Sequence, residues 1–111
     1  MEQVTKQVVE GSYGMTAERV LAIDADTGLG VLIEDSWCGV GSVQGECYRP
    51  YLRTLTPAEV VHVRALWDKP WCDIYETWPD PRRLQVQVHR YYGNPLDALR
   101  RHVARQSKRA I

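Results

Sequence analysis

The 111-residue chain contains no phenylalanine. Its aromatic residues are four Trp and six Tyr, so each carries a polar handle suited to half-buried positions and interfaces. Long apolar runs are also missing. No stretch approaches the roughly 20 residues that span a bilayer. The N-terminal MEQVTKQVVE is polar and lacks the apolar segment of an export signal. Cysteine is scarce: Cys38, Cys47 and Cys72 are odd in number and without the spacing of a disulfide framework. These absences set the expectation of a cytoplasmic protein with reduced thiols and no membrane association. Acidic residues are almost lacking from the last part of the chain, where Asp97 is the single acid after residue 80.

What is present suits one globular domain over residues 1–111. The hydrophobic fraction is 44%, which excludes a wholly disordered chain. A domain of this length buries roughly two-thirds of its unfolded surface and can hold one modest core without disulfide staples. Net charge is zero, but residues 1–80 carry six Lys/Arg against thirteen Asp/Glu, and residues 81–111 carry eight Lys/Arg against one acid. The chain is therefore −7 at one end and +7 at the other.

The most apolar stretch, Ala17 to Trp37, reads as two strands joined by a turn at Asp24-Ala25-Asp26-Thr27-Gly28, with Val20–Ile23 and Leu29–Ile33 as its apolar runs. It belongs at the centre of a sheet. Val4 to Tyr13 reads as an earlier strand, at an edge. Residues 38–47 form a Gly-rich loop, and Tyr48, Pro50 and Tyr51 carry it into an extended segment. Thr56-Pro57-Ala58-Glu59 is a capping-box helix start. That helix should run to about Trp67, largely buried through Val60, Val63 and Trp67 and widened by Val61 and Ala65. Trp71 to Trp78 reads as a strand. Arg82 to Tyr92 reads as another, with Leu84, Val86 and Val88 alternating with Gln85, Gln87 and His89. A basic helix follows over about 95–108, its core stripe at Leu96, Leu99 and Val103. The expected fold is α+β: a mainly antiparallel sheet of about five strands with two helices on one face, in the order β-β-β-α-β-β-α.

Chemistry-bearing motifs are weak. Cys38, Cys47, Cys72, His62 and His89 lack the short paired spacings of structural zinc sites. Asp24-x-Asp26-x-Gly28 shares the opening of a calcium loop, but the distal Glu is absent and strands flank it. Gly39-x-Gly41-x-x-x-Gly45 departs from the dinucleotide fingerprint in spacing and has no helix directly after it. A nucleophilic Cys38 with His62 or His89 as base would need a basic neighbourhood, whereas Glu34 and Asp35 precede it and would raise the thiol pKa. No cofactor or metal is expected.

These readings leave a small non-catalytic binding protein that docks on a protein partner, by analogy with inhibitors, immunity proteins and mobile-element factors. The expected contact residues are Trp71, Trp78, Tyr48 and Tyr51, set outside clear core positions, with Arg100, Arg101 and Arg105 of the basic helix. The alternative is a nucleic-acid binder using that helix, with Arg82, Arg83 and Arg90 nearby and Tyr91 and Tyr92 to stack bases. A third reading is a thiol enzyme or metalloprotein centred on Cys38.

Overall fold

The computed structural model describes residues 1–10, 16–37, 49–69, 71–86, 88–91 and 93–109. The Gly-rich stretch 38–47 and Tyr48 lie outside the described residues, as do the side chains of Trp71, Cys72, His89 and Arg90. The elements are β1 (Glu2–Glu10), β2 (Thr16–Asp24), β3 (Gly30–Trp37), β4 (Arg49–Leu55), α1 (Pro57–Ala65), α2 (Trp71–Glu76), α3 (Arg83–Val86), β5 (Val88–Arg90) and α4 (Pro95–Arg109). The strands form one antiparallel sheet in the order β1-β2-β3-β4-β5, so β3 is central and β1 lies at an edge. The α+β class is as expected.

The β2–β3 turn forms for a local reason. Asp24 accepts from Gly28 N–H at 2.8 Å and donates its own N–H to Leu29 O at 2.9 Å, while Thr27 Oγ1 donates to the Asp24 carboxylate at 2.7 Å. Gly28 has φ 79°, a left-handed conformation that glycine adopts without penalty. Gly30 allows a close approach: a Cβ there would lie 2.7 Å from Val60 Cγ2 on α1.

Alternation along the strands sends successive residues to opposite faces. On one face Leu21, Ile23, Leu32 and Leu55 pack with Val60, Val63, Ile74 and Trp78 under α1 and α2, with Leu84 of α3 alongside. On the other, Ala22, Val31, Ile33 and Leu52 pack with Ala98 and Leu99 of α4. Helices thus cover both faces, not one. The central strands are apolar on both sides, which explains their nearly unbroken hydrophobic runs.

Other expectations are corrected. Trp71 to Trp78 is not a strand. Its first six residues form α2, whose turn places Ile74 in the core, where Trp78, two residues past the helix end, joins it. Nor is Arg82 to Tyr92 one strand. Arg83–Val86 makes a single helical turn, begun by Arg83 N–H donating to Asp80 O at 3.0 Å, and among the described residues of this segment only Val88–Arg90 pairs with β4. The fourth strand is Arg49–Leu55, which pairs on both sides and completes the five. Among the described residues the order is therefore β-β-β-β-α-α-α-β-α, with four helices in place of two.

The Thr56 capping box forms as read: Glu59 N–H donates to Thr56 Oγ1 at 3.3 Å and Thr56 N–H to Glu59 Oε1 at 2.8 Å. The helix is less buried than expected, since Val61 is 68% exposed and points away from the sheet.

Candidate docking surface

The C-terminal helix α4 starts at Asn94, whose side-chain oxygen accepts from Leu96 N–H at 2.8 Å, with Pro95 in the first helical position. Leu96, Leu99 and Val103 face the sheet as their spacing implied, and Ala98 joins them. His102 is buried too. Its Nε2–H donates to Leu55 O at 3.1 Å and fastens the helix to the end of β4. Burial pushes the His102 imidazole below its ordinary value, with the nearby Arg105 charge acting in the same direction.

The three α4 arginines expected to make contacts, Arg100, Arg101 and Arg105, separate into two roles. Arg100 donates from Nε and Nη2 to both carboxylate oxygens of Glu2 at 3.0 and 2.8 Å, tying the helix to β1, and it approaches Asp97 at 3.7 Å. Arg101 and Arg105 are exposed and one helical turn apart, and no ion pair joins either to another described residue. They flank a cavity of about 80 Å³ whose other walls are Leu52, Tyr91 and Ala98. Tyr91 is held in place by its hydroxyl, which donates to Asn94 O at 3.0 Å.

The expected contact aromatics fare differently. Trp78 is 3% exposed and belongs to the core, so it offers no surface. Its Nε1–H donates to Glu59 at 2.8 Å, and its ring lies 5.8 Å from Tyr75 in a stacked arrangement. A tryptophan with its polar edge satisfied inside is as stable a placement as one at an interface. Tyr51 is 39% exposed, on the α1 side of β4, opposite Glu34 of β3. It therefore lies on the sheet face away from Arg101 and Arg105. Trp71 opens α2, and Tyr48 lies outside the described residues. Among the described residues, the structure does not gather Trp78, Tyr51 and the α4 arginines into one patch.

A second polar assembly is internal. Glu59 is 1% exposed and accepts from Thr56 N–H, Trp78 Nε1–H and the Arg83 guanidinium, the last at 3.0 and 3.2 Å. Arg19 is fully buried. Its Nε donates to Gln7 at 2.7 Å and its Nη2 to Trp67 O at 2.8 Å, and its guanidinium lies 4.3 Å from the Trp67 ring centroid. Arg53 donates to Leu84 O at 2.7 Å and sits 5.4 Å from the rings of Tyr75 and Trp78. Desolvation raises the pKa of half-buried Glu34 against the opposing pull of Arg19 and Arg53. Sequence reading marked Glu59 only as the partner of Thr56 in the capping box, and it gave Trp78 and Arg83 other roles. The Glu59 links to Trp78 and Arg83 cross nineteen and twenty-four residues and leave no local pattern.

Among the described residues no three His, Cys, Asp or Glu side chains are gathered as a metal ion would require. Among them, too, no helix is long and apolar enough to cross a membrane. No family model, no curated protein and no solved structure matches the chain.

Proposed function

We propose that this chain is a non-catalytic binding module that docks a protein partner through the outer face of α4. The observation that carries the reading is the pair Arg101 and Arg105. Both are exposed and joined to no described carboxylate, and they stand beside a small cavity with an apolar floor and an immobilised tyrosine. Arg and Tyr are favoured anchors where protein surfaces meet, and a cation pair steers an acidic partner to the site. The neighbouring Arg100 is engaged by Glu2 and Asp97, which narrows the free positive surface. A short cationic patch of this kind suits an acidic protein surface better than a nucleic acid, which takes many phosphate contacts. A cytoplasmic setting accords with this reading.

The test is affinity capture from nuclease-treated native cytoplasm, comparing the wild-type chain with an Arg101→Gln/Arg105→Gln variant whose fold is checked by circular dichroism. A protein retained by the wild type and lost by the variant supports docking through α4. Identical retained sets would reduce this face to solvated surface. Retention that depends on omitting the nuclease would transfer the reading to nucleic acid.

A further inference from the structure

A cavity of about 240 Å³ lies on the opposite side of the sheet from the α4 surface, between β1 and β2 and the end of α1. Its walls are Thr5 of β1, Leu21 of β2, and Arg64, Trp67 and Asp68 at the exit of α1. Leu21 is almost fully buried and forms an apolar floor. Trp67 supplies an aromatic wall, held by the Arg19 guanidinium against its ring and by Arg19 and Gln7 donating to its carbonyl. Thr5 contributes a hydroxyl. Arg64 and Asp68 are exposed, and no ion pair within 4.0 Å joins them to each other or to another described residue.

From this arrangement we infer that the cavity binds a small zwitterion with an apolar side chain, of the free α-amino-acid class. An apolar and aromatic floor under a few polar groups is the general form of a small-molecule site. The rim has one cation and one anion, so a ligand with a single charge of either sign meets a like charge as well as an opposite one. A zwitterion satisfies both: its carboxylate takes the Arg64 guanidinium, where a bidentate pair can form, and its ammonium takes the Asp68 carboxylate. The side chain then covers Leu21 and Trp67. The volume falls just below the roughly 300 Å³ at which drug-sized pockets begin, which suits a single amino acid. The inference stands apart from the docking role of α4, since none of these five residues belongs to that surface.

The experiment is isothermal titration calorimetry of the intact chain with L-leucine and L-tryptophan, alongside N-acetyl and carboxamide derivatives of each. Saturable binding of the free amino acids, weakened at least about tenfold by either blocking group, is the expected result. Arg64→Gln should reproduce the loss caused by the carboxamide, and Asp68→Asn the loss caused by acetylation. Thr5→Trp, at an exposed position on the edge strand, should fill the cavity and abolish binding while circular dichroism stays unchanged. Absence of binding into the millimolar range overturns the inference. Equal binding of the blocked derivatives, or binding that survives a folded Thr5→Trp variant, overturns it as well.

Discussion

The two faces of the sheet solve the same problem with different materials. Under α1, α2 and α3, apolar residues share the interior with charge: Glu59 and Arg19 are buried, Arg53 and Arg83 reach in beside them, and Trp67, Tyr75 and Trp78 lie around them. Under α4 the interior is Ala22, Val31, Ile33, Leu52, Ala98 and Leu99, and the only buried polar side chain described there is His102. Three short helices cannot seal a face by themselves, and α3 has just four residues. Hydrogen bonds to backbone carbonyls bind them instead: Arg53 to Leu84 O, Arg19 to Trp67 O, and His62 Nε2–H to Ile74 O at 2.8 Å. The 15-residue α4 needs less help, because one continuous stripe of small and branched side chains covers the sheet. Charge placed inside on one face is thus structural, whereas on the other the exposed Arg101 and Arg105 join no described carboxylate.

The contrast is broken most severely at Glu59. Replacing it with Ala leaves Arg83, the Trp78 indole N–H and the Thr56 N–H without their acceptor in a buried site. The expected cost is about 4 kcal/mol, read from urea unfolding, because removing one partner of a buried charged network strands the others. A loss below about 1 kcal/mol would place Glu59 among exposed pairs of little consequence.

On the α4 face the corresponding change is Leu99→Ala. It opens a cavity in a fully packed position and should cost about 3 kcal/mol by the same measurement. If it costs more than Glu59→Ala, the apolar face is the stronger of the two and the contrast reverses.

Thr56→Ala removes one half of the capping box and should cost about 1 kcal/mol. It leaves the Glu59 contacts to Trp78 and Arg83 in place, so the difference between the two variants isolates the network from the helix cap. Equal losses from both would mean that capping alone explains the role of Glu59.

The smallest effect distinguishes the faces by pH. The folded His102 pKa lies below its unfolded value, so between the two the unfolded chain binds more protons than the folded one. Stability contributed by neutral His102 is complete above the ordinary imidazole value near 6.5 and declines as pH falls through it toward the lowered folded value. The stability gap between wild type and His102→Gln should therefore shrink on acidification. A gap independent of pH would show that folding leaves the imidazole's proton affinity unchanged and would remove the burial effect.

Elements that depend on neighbours in the chain were legible. The Asp24–Gly28 turn, the Thr56 capping box and the Leu96, Leu99 and Val103 stripe each rest on contacts within a few residues. For the proposed docking surface, sequence reading supplied Arg101 and Arg105 but grouped them with Arg100, Trp71, Trp78, Tyr48 and Tyr51. Only tertiary contacts separate three of these: Arg100 meets a glutamate ninety-eight positions away, Trp78 is interior, and Tyr51 faces the other side of the sheet.

The amino-acid sequence by itself determined the α+β class, the central hairpin, the start of α1 and the basic C-terminal helix, because periodicity, capping and turn chemistry act over one or two turns of chain. The states of residues 71–78 and 82–92 were decided by the tertiary structure. Their aromatic, β-branched and alternating residues satisfy a strand pattern locally, but Ile74, Trp78 and Arg83 must meet Val63, Arg53 and Glu59 over one sheet face. Helical turns bring them there, and among the described residues of the later segment β4 offers its free edge to only three. Which charges lie inside was decided in the same way, since burying Arg19 or Glu59 is tolerable only when partners distant in sequence close around it.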